Sequence, residues 1–273
     1  MPNHHPDTQQ EIPLHGGNQT EGVVRIGDTV RRPAHPCSPA IRVLLDHLHA
    51  TAPGIAPRSL GVDDEGRDMI SFVEGDTGHY PLVGYMRSQE SLLATARLIR
   101  RYHDATTGLT QRLDLPWQNV EPNPNRREVI CHNDIAPYNI IFQDGAPAVL
   151  FDFDHAGPGP RLRDIAYAAY RFAPLASDQS CRDFGWSAPP DRTGRLRQFL
   201  DAYGPFDDRG FIAMVERRIL DLRDNILHLA ETEPERVRVH LEEDHVGSYN
   251  DDLAWIAAHR DVLNSTIGAS ATS

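Results

Sequence analysis

Three side chains suited to phosphoryl transfer follow one another in a short part of the chain: Asp134, Asn139 and Asp152. Phosphoryl transfer requires a carboxylate near the attacking hydroxyl and oxygen ligands that hold magnesium against the phosphates, because charge on the phosphate oxygens dominates the barrier. Magnesium usually takes only one or two ligands from the protein, so one carboxylate and one amide are chemically sufficient. The residue types and their order therefore predict a phosphoryl-transfer site.

Strands are expected on both sides of these residues. Two apolar runs, at 140–142 and 148–151, flank an Asp-Gly pair, which is typical of a β-hairpin. The returning strand would end directly before Asp152, so the hairpin brings this carboxylate back beside Asn139. Another run, at 128–131, predicts a strand that leads into the polar loop.

This segment resembles the catalytic region of the aminoglycoside phosphotransferase family, whose members share the protein-kinase-like fold. The His-Asn-Asp triplet at 132–134, followed by four residues and Asn139, matches the catalytic-loop motif, although Gly or Arg is commoner in the middle. Asp152 stands where the family has its metal-binding Asp, and Asp164 begins an Asp-Ile-Ala that matches the family's Asp-Leu-Ala. The resemblance extends from about residue 14 to the last helices.

The resemblance implies a role for each of these residues. Asp134 would orient or deprotonate the acceptor hydroxyl, Asn139 and Asp152 would bind Mg²⁺, and Asp164 would brace the catalytic loop. His132 belongs to the same catalytic group, where we expect it to pack its ring and bond the loop backbone rather than act as a base. As isolated residues, Asp and Asn beside proline would instead be ordinary turn formers.

A second enzyme class overlaps this motif. Residues 149–154 also fit the apolar strand and Asp-x-Asp of haloacid-dehalogenase-like phosphatases, in which one Asp attacks phosphorus and the other is the acid or base. Such motifs normally open a Rossmann-like domain near the N-terminus, whereas over half of this chain precedes them. The phosphatase interpretation also leaves His132, Asp134 and Asn139 unexplained, so it is the weaker alternative.

The chain contains no lysine, so all 27 of its Lys+Arg residues are arginine. A Walker A loop and a Schiff-base enzyme both need a lysine, and the sequence excludes them. The phosphate-binding lysine that the resemblance implies is missing too. Arg31 or Arg32, on a predicted strand at 29–32, is the candidate replacement, and the alternation of the strand leaves both open. Arginine can hold phosphate, but it is not interchangeable with lysine. The other interpretation is that both residues are ordinary solvated strand ends.

The helix expected after this strand lacks the usual glutamate partner of that lysine. Its start is predicted at Ser38 as the N-cap, with a proline in the first turn. The helix offers Asp46 and no Glu near its start. This departure means that nucleotide affinity is reduced or that the charge pair is rebuilt from other residues.

Two further segments would contact a nucleotide. Gly16 and Gly17 are the candidate remnant of a glycine-rich loop that covers the phosphates, although most Gly-Gly pairs are turns. The resemblance implies that the backbone of Phe72, Val73 and Glu74 forms the hinge that pairs with the adenine ring. A simple linker between lobes is the structural alternative for the hinge.

The expected fold is α+β, with a small β-rich N-lobe and a larger, mostly helical C-lobe. Polar composition predicts a disordered tail at 1–13, followed by a reduced, nucleotide-covering N-lobe at 14–73. The C-lobe at 74–273 would hold the catalytic loop, the metal site and the acceptor site. Helical spacing of apolar residues begins after Ser88.

A net charge of -12 without a basic stripe argues against nucleic-acid binding and favours a cationic acceptor. Candidate acidic walls are residues 242–244 and 251–252, although charge runs are often only solvated. Three widely spaced cysteines predict a reducing cytoplasm, and no signal peptide or membrane span is expected. The lack of lysine suits a bacterium with a GC-rich genome.

These observations predict a small-molecule kinase that transfers the γ-phosphate of ATP or GTP, with Mg²⁺, to a hydroxyl of an aminoglycoside-like or other amino-alcohol acceptor. The alternative is a catalytically degenerate kinase-like module that binds a ligand or gives immunity to a toxin without turnover. The missing Lys and Glu favour that alternative, whereas Asp134, Asn139 and Asp152 oppose it. The oligomeric state is left open.

Overall fold

The structure, a computed structural model, describes residues 10–14 and 22–270, with side chains described as far as residue 267. Gly16 and Gly17 lie outside the described residues. The first part of the chain forms a five-stranded antiparallel sheet in the order β1-β2-β3-β5-β4. Its strands are β1 (Ile12–Pro13), β2 (Val24–Ile26), β3 (Thr29–Arg32), β4 (Ser59–Val62) and β5 (Asp68–Ser71).

The sheet begins earlier than the sequence indicated. Ile12 pairs with Arg25 and Pro13 with Val24, so the expected tail at 1–13 does not reach residue 13. Proline is tolerated here because β1 is an edge strand, where no partner requires its missing N–H. At the centre of the sheet, β3 pairs with β5, which places Arg32 opposite Asp68.

The N-cap of the helix after β3, α1 (Ser38–Thr51), lies one residue before the predicted cap. Cys37 is the N-cap, and Ser38 is the first helical residue. The Ser38 hydroxyl is engaged elsewhere, because it donates to the carboxylate of Asp68 on β5. The apolar face of α1 is buried between the sheet and the rest of the chain.

Most of the remaining chain is helical. The helices are α2 (Gln89–Thr106), α3 (Arg161–Phe172), α4 (Asp178–Asp183), α5 (Arg192–Tyr203), α6 (Phe211–Thr232), α7 (Pro234–Glu242) and α8 (His245–Ser270). The predicted start of α2 is confirmed, since the Ser88 side chain accepts a hydrogen bond from the Ser91 N–H at 3.1 Å. Helix α2 packs on α5, and α6 packs on both α3 and α8.

Five short strands lie among these helices and carry the polar loop. They are β6 (Asp76–Thr77), β7 (Val129–Cys131), β8 (Ile140–Gln143), β9 (Ala146–Leu150) and β10 (Gly157–Gly159). The predicted hairpin is β8-β9, with Ile140 paired to Leu150 and a turn at Asp144 and Gly145, both at positive φ. Strand β7 pairs with β10 instead, so the loop emerges between two small sheets.

The architecture is therefore the predicted α+β arrangement, with a small antiparallel-sheet lobe and a larger helical lobe. A shared hydrophobic core runs from α1 through α2 to α3 and α8. Within residues 10–14 and 22–270, no helix is both long and apolar enough to cross a membrane.

Candidate active site

The loop between β7 and β8 holds Asp134 in a fixed orientation. The Asn139 Nδ2 donates to the Asp134 main-chain oxygen at 2.9 Å and to its Oδ2 at 2.8 Å. The Tyr138 hydroxyl donates to Oδ1 at 3.2 Å. Asp134 remains partly exposed while its neighbours are buried. The loop thus presents one oriented carboxylate to the cleft.

Asp164 lies beneath this loop and is fully buried. Its carboxylate accepts the backbone N–H groups of His132 and Asn133, each at 2.7 Å, and faces His103 Nε2 at 3.1 Å. Asn133 needs this support because it adopts φ 67°, a left-handed conformation. Burial opposes ionisation of Asp164, but the hydrogen bonds from His103 and His132 hold its pKa below the ordinary value.

His132 packs and bonds as expected. Its Nε2 donates to the main-chain oxygen of Phe151 at 2.9 Å, and its ring lies 4.7 Å from the ring of Phe153. Nδ1 is buried and has no hydrogen-bond partner among the described residues. The imidazole therefore supports the backbone next to Asp152 and does not face the cleft as a base.

The sequence did not reveal how many distant residues hold the loop. His103 on α2 is fully buried, and the sequence did not indicate its link to Asp164. Arg218 on α6 donates to the main-chain oxygen of Asn133 at 2.6 Å, and Arg163 on α3 donates to its side chain at 2.8 Å. These contacts join residues far apart in sequence, so no local pattern signals them.

Asp152 lies next to the loop, as the hairpin predicted. The Phe151 N–H donates to the Asn139 main-chain oxygen at 3.1 Å, and Asp152 itself adopts φ 62°. Its side chain is 43% exposed. Partial burial and the nearby Asp154 carboxylate raise the pKa of Asp152, while Arg32 opposes this shift. A cation bound here would relieve that unfavourable negative charge.

The oxygen donors fit magnesium only together with phosphates and water. Because Asn139 uses its Nδ2 on Asp134, its Oδ1 is left without a hydrogen bond from the described residues. Asp152 supplies a carboxylate. No group of three His, Cys, Asp or Glu residues in the described part of the chain could hold a metal ion by itself. A divalent ion at this position would depend on ligands from a nucleotide.

The structure separates the two candidate arginines. Arg32 reaches the metal loop, where its Nη2 pairs with Asp154 and its Nη1 lies 3.8 Å from Asp152. Arg31 points to the opposite face, with its Nε 3.5 Å from Asp63, because side chains alternate along a strand. Of the two arginines, Arg32 is therefore the one placed to contact phosphates, and Arg31 is not.

A second ion pair joins helix α1 to the sheet with the cation on the helix and the carboxylate on a strand, which exchanges the charges of the expected lysine–glutamate pair. Arg42 on α1 pairs with Asp68 on β5, and Asp46 is exposed. The cavity between α1 and β5, lined by Arg32, Asp68 and Asp152 among others, is about 30 Å³. This is space for water, not for a nucleotide. Nucleotide phosphates would therefore have to displace Arg32.

Comparison with known proteins identifies the family. The profile of the phosphotransferase enzyme family (APH) matches residues 44–211. The chain belongs to this phosphotransferase family. Over 198 residues it is also 32% identical to the trifolitoxin immunity protein of Rhizobium leguminosarum bv. trifolii, covering 71% of this chain and 74% of that protein.

Solved structures share the kinase-like fold of the family. An ethanolamine kinase from Plasmodium vivax superposes with a TM-score of 0.58 at 13% identity, covering 95% of this chain and 84% of that chain. The spectinomycin phosphotransferase APH(9)-Ia, solved with ADP and spectinomycin, gives a TM-score of 0.55 at 12% identity, with 91% and 88% coverage. At these identities the similarity establishes the fold alone.

The predicted hinge, residues 72–74, has fewer backbone groups free to bind a base than expected. The Phe72 N–H donates to Asp28 at 2.8 Å, and the Glu74 main-chain oxygen accepts from Gln143 at 2.9 Å. Val73 makes no hydrogen bond to the described residues, so its N–H and oxygen are available. Of the three predicted hinge residues, Val73 is therefore the one best placed to pair with a base.

The residues expected to form acidic walls differ in their burial. Asp252 is 1% exposed, and its carboxylate accepts from the Tyr170 hydroxyl at 2.6 Å and the Ser180 hydroxyl at 2.7 Å. Glu242 and Glu243 instead form exposed ion pairs with residues of their own surface. Tertiary packing therefore removes Asp252 from the expected acidic surface, whereas residues 242–244 and 251 remain exposed.

Proposed function

We propose that this phosphotransferase is a small-molecule kinase that moves the γ-phosphate of ATP or GTP to a hydroxyl of its acceptor, with Mg²⁺. The observation that carries the proposal is the orientation of Asp134 by Asn139 and Tyr138 beside the exposed carboxylate of Asp152. Family membership supports it. A structurally similar protein solved with ADP is consistent with nucleotide binding.

In this proposal Asp134 receives the hydrogen bond of the acceptor hydroxyl and takes its proton as the new bond to phosphorus forms. A fixed carboxylate favours the in-line orientation and spends little free energy on reorganisation. Asn139 holds that carboxylate, and Asp164 keeps the loop backbone in its left-handed turn. His132 supports the main chain beside Asp152.

Asn139 and Asp152 would hold the metal, which supplies positive charge against the phosphate oxygens when it is bound. Arg32 would leave Asp154 to contact the phosphates, because a guanidinium binds phosphate and carboxylate with the same fork of donors. Asp154 thus competes with the nucleotide for the cation that replaces the family lysine.

We propose that the acceptor reacts through a hydroxyl, as the sequence predicts, and we do not propose that it is cationic. The expectation of a cationic acceptor rested on the overall balance of -12 and on two acidic runs, one of which contains the buried Asp252. Net charge acts on long-range encounter, whereas recognition depends on the side chains beside the reacting group.

A non-catalytic immunity module is the second candidate. Two observations favour it: the relative named an immunity protein, and the pairing of Arg32, the candidate phosphate ligand, with Asp154. Such a module would bind its ligand without turnover. The intact arrangement of Asp134 and Asn139 is the reason to rank it second.

The deciding experiment compares the wild type with Asp134→Asn. Nucleotide binding is measured by thermal shift with ATP and GTP, with and without Mg²⁺, and turnover is measured as acceptor-dependent ADP release. We expect a magnesium-dependent shift in both proteins, and a loss of turnover of about 100-fold or more in the variant. A wild type that shows no shift at millimolar nucleotide would reject the kinase in favour of the immunity module.

A further inference from the structure

A cation without a counter-charge, Arg171, is linked to the catalytic loop through two tyrosine hydroxyls. Arg171 on α3 is 9% exposed, and its guanidinium lies over the rings of Tyr170 at 4.8 Å, Tyr167 at 5.2 Å and Phe184 at 5.8 Å. Its Nε donates to the Tyr167 hydroxyl at 3.1 Å. No carboxylate of the described residues lies within ion-pair distance of Arg171.

Two more arginines lie against Trp186, which follows Phe184 by two residues in the chain. The guanidinium of Arg195 lies 4.8 Å from the Trp186 ring, and that of Arg87 lies 5.3 Å from it. Their hydrogen bonds go to neutral main-chain oxygens, those of Phe172 at 2.9 Å and Leu82 at 3.0 Å. Neither arginine forms an ion pair within the part of the chain that the structure describes. Burial alone lowers the pKa of Arg195 to about 10.

Short contacts connect this cluster to the catalytic carboxylate. From Arg171 the Tyr167 hydroxyl leads to the Tyr138 hydroxyl at 2.9 Å, and Tyr138 donates to Asp134 Oδ1 at 3.2 Å. The Tyr80 ring stacks on Phe184 at 4.8 Å, and the Tyr80 hydroxyl is buried without a hydrogen-bond partner among the described residues. The cluster therefore offers one buried, unsatisfied donor, the Tyr80 hydroxyl, together with the uncompensated charge of Arg171.

Three arginines without ion-pair partners among the described residues are unexpected in a protein with a net charge of -12. The chain has 39 acidic residues, yet none of those that the structure describes forms an ion pair with any of these three arginines. Removing a cation from water without a counter-charge is unfavourable, and contacts with aromatic rings do not neutralise it. An arginine fork binds carboxylate and phosphate oxygens with two parallel hydrogen bonds. The arrangement is suited to an anion that arrives from outside.

We propose that the acceptor carries an oxyanion, a carboxylate or phosphate ester, that Arg171 binds from within the cluster, with Arg87 and Arg195 adding positive charge around it. This inference rests on the proposed kinase function and specifies its substrate class. The acceptor hydroxyl oxygen forms the new bond to the γ-phosphorus, and the bond from that phosphorus to the bridging oxygen breaks. ADP leaves, and the hydroxyl proton goes to Asp134.

The test uses small probes that share a hydroxyl and differ in charge. Thermal-shift titrations compare glycerate, glycerol and ethanolamine, with sulfate as a hydroxyl-free anion, at constant ionic strength. The proteins are the wild type, Arg171→Gln, Arg195→Gln and the control Arg182→Gln, an exposed arginine of α4 that bonds only to Gln179. Arg195→Gln covers the event that Arg171→Gln fails to fold.

We expect saturable shifts with glycerate and sulfate and none with glycerol or ethanolamine. Apparent affinity for the anions should fall at least tenfold in Arg171→Gln and about threefold in Arg195→Gln, and stay unchanged in Arg182→Gln. Ethanolamine binding in place of the anions, no anion response, or an anion response that survives both site variants would overturn the proposal.

Nucleotide titrations of the same proteins separate this inference from the kinase function. A magnesium-nucleotide shift without an anion shift rejects the anionic acceptor and leaves the kinase standing. An anion shift without any nucleotide shift rejects the kinase and, with it, the role of Arg171 in binding an acceptor.

Discussion

The two sides of the cleft differ in how completely their charges are satisfied. On the C-lobe side, Asp164 is fully buried and accepts three hydrogen bonds, so its negative charge is stabilised. Where Arg32 of the N-lobe approaches the metal loop, Asp152 is partly exposed, lies beside Asp154 and has a raised pKa. The fold stabilises the ionised form of Asp164, whereas it disfavours the ionised form of Asp152.

The difference separates residues that build the site from residues that must exchange partners. Asp164 has no role that requires it to release a hydrogen bond. Arg32 and Asp152, by contrast, have to leave protein partners before they can contact phosphate or metal. A perturbed or incompletely satisfied charge in a cleft is thus a better indicator of ligand binding than a fully bonded one.

The largest expected effect is on the C-lobe side. Asp164→Asn should lower the free energy of unfolding by about 3 kcal/mol, because it removes a buried charge on which several donors converge. Chemical denaturation followed by circular dichroism measures the change. A loss below about 1 kcal/mol would contradict the bracing role.

The same variant predicts a pH dependence. The pKa of Asp164 is lower in the folded state than in the unfolded chain, so the unfolded chain binds that proton more tightly. The stabilisation is present above the ordinary Asp pKa of about 4 and is lost as the pH falls through the lowered value. The stability gap between wild type and Asp164→Asn should therefore be full at pH 7 and shrink below about pH 4.

On the N-lobe side, Arg32→Met and Arg31→Met form a matched pair on one strand. We expect Arg32→Met to weaken ATP binding about tenfold, which corresponds to the loss of one charge-assisted hydrogen bond. Arg31→Met should stay within about twofold, since Arg31 faces Asp63 away from the cleft. Isothermal titration calorimetry measures both. Equal effects would mean that the strand, and not the Arg32 guanidinium, determines affinity.

A smaller effect is expected for Asp152→Asn, and its direction is the informative part. Because the fold disfavours the ionised carboxylate, the variant without nucleotide should melt about 1 to 3 °C higher than the wild type. It should also lose the magnesium dependence of nucleotide binding. A lower melting temperature would show that the interaction with Arg32 outweighs the repulsion by Asp154.

The smallest effect concerns the hinge. Glu74 makes an ion pair with Arg25 at 3.0 Å, but its side chain is 77% exposed, and such pairs contribute little. Glu74→Gln should change nucleotide affinity by less than about twofold in the same calorimetric assay. A larger change would assign the Glu74 side chain a direct role in base recognition.

The sequence predicted the parts of this structure that depend on neighbouring residues. The β8-β9 hairpin followed from one Asp-Gly turn between apolar runs, and the start of α2 followed from Ser88. The predicted start of α1 was wrong by one residue, because the Ser38 hydroxyl bonds to Asp68 on another strand. Local patterns contain no information about such a tertiary competitor.

The same division holds in the site. The order and spacing of Asp134, Asn139 and Asp152 are local, and the structure brings them together around one loop. The support from Arg218 and the cluster around Arg171 depend on packing between distant helices. Overall charge predicted an acidic acceptor site, yet two arginines, Arg163 and Arg218, bond to Asn133 of the catalytic loop, because total charge does not determine where charges lie.

The exchanged ion pair between Arg42 and Asp68 constrains how this sequence can change. Restoring a glutamate on α1 by Arg42→Glu alone would place it against Asp68, and two like charges would meet in a partly buried space. Restoring the strand lysine first would leave Asp154 with a shorter, less suitable partner. Each single substitution toward the more usual lysine–glutamate pair is therefore expected to give a protein less stable than either the present form or the form with that pair. We expect related descendants of this sequence to keep the present arrangement.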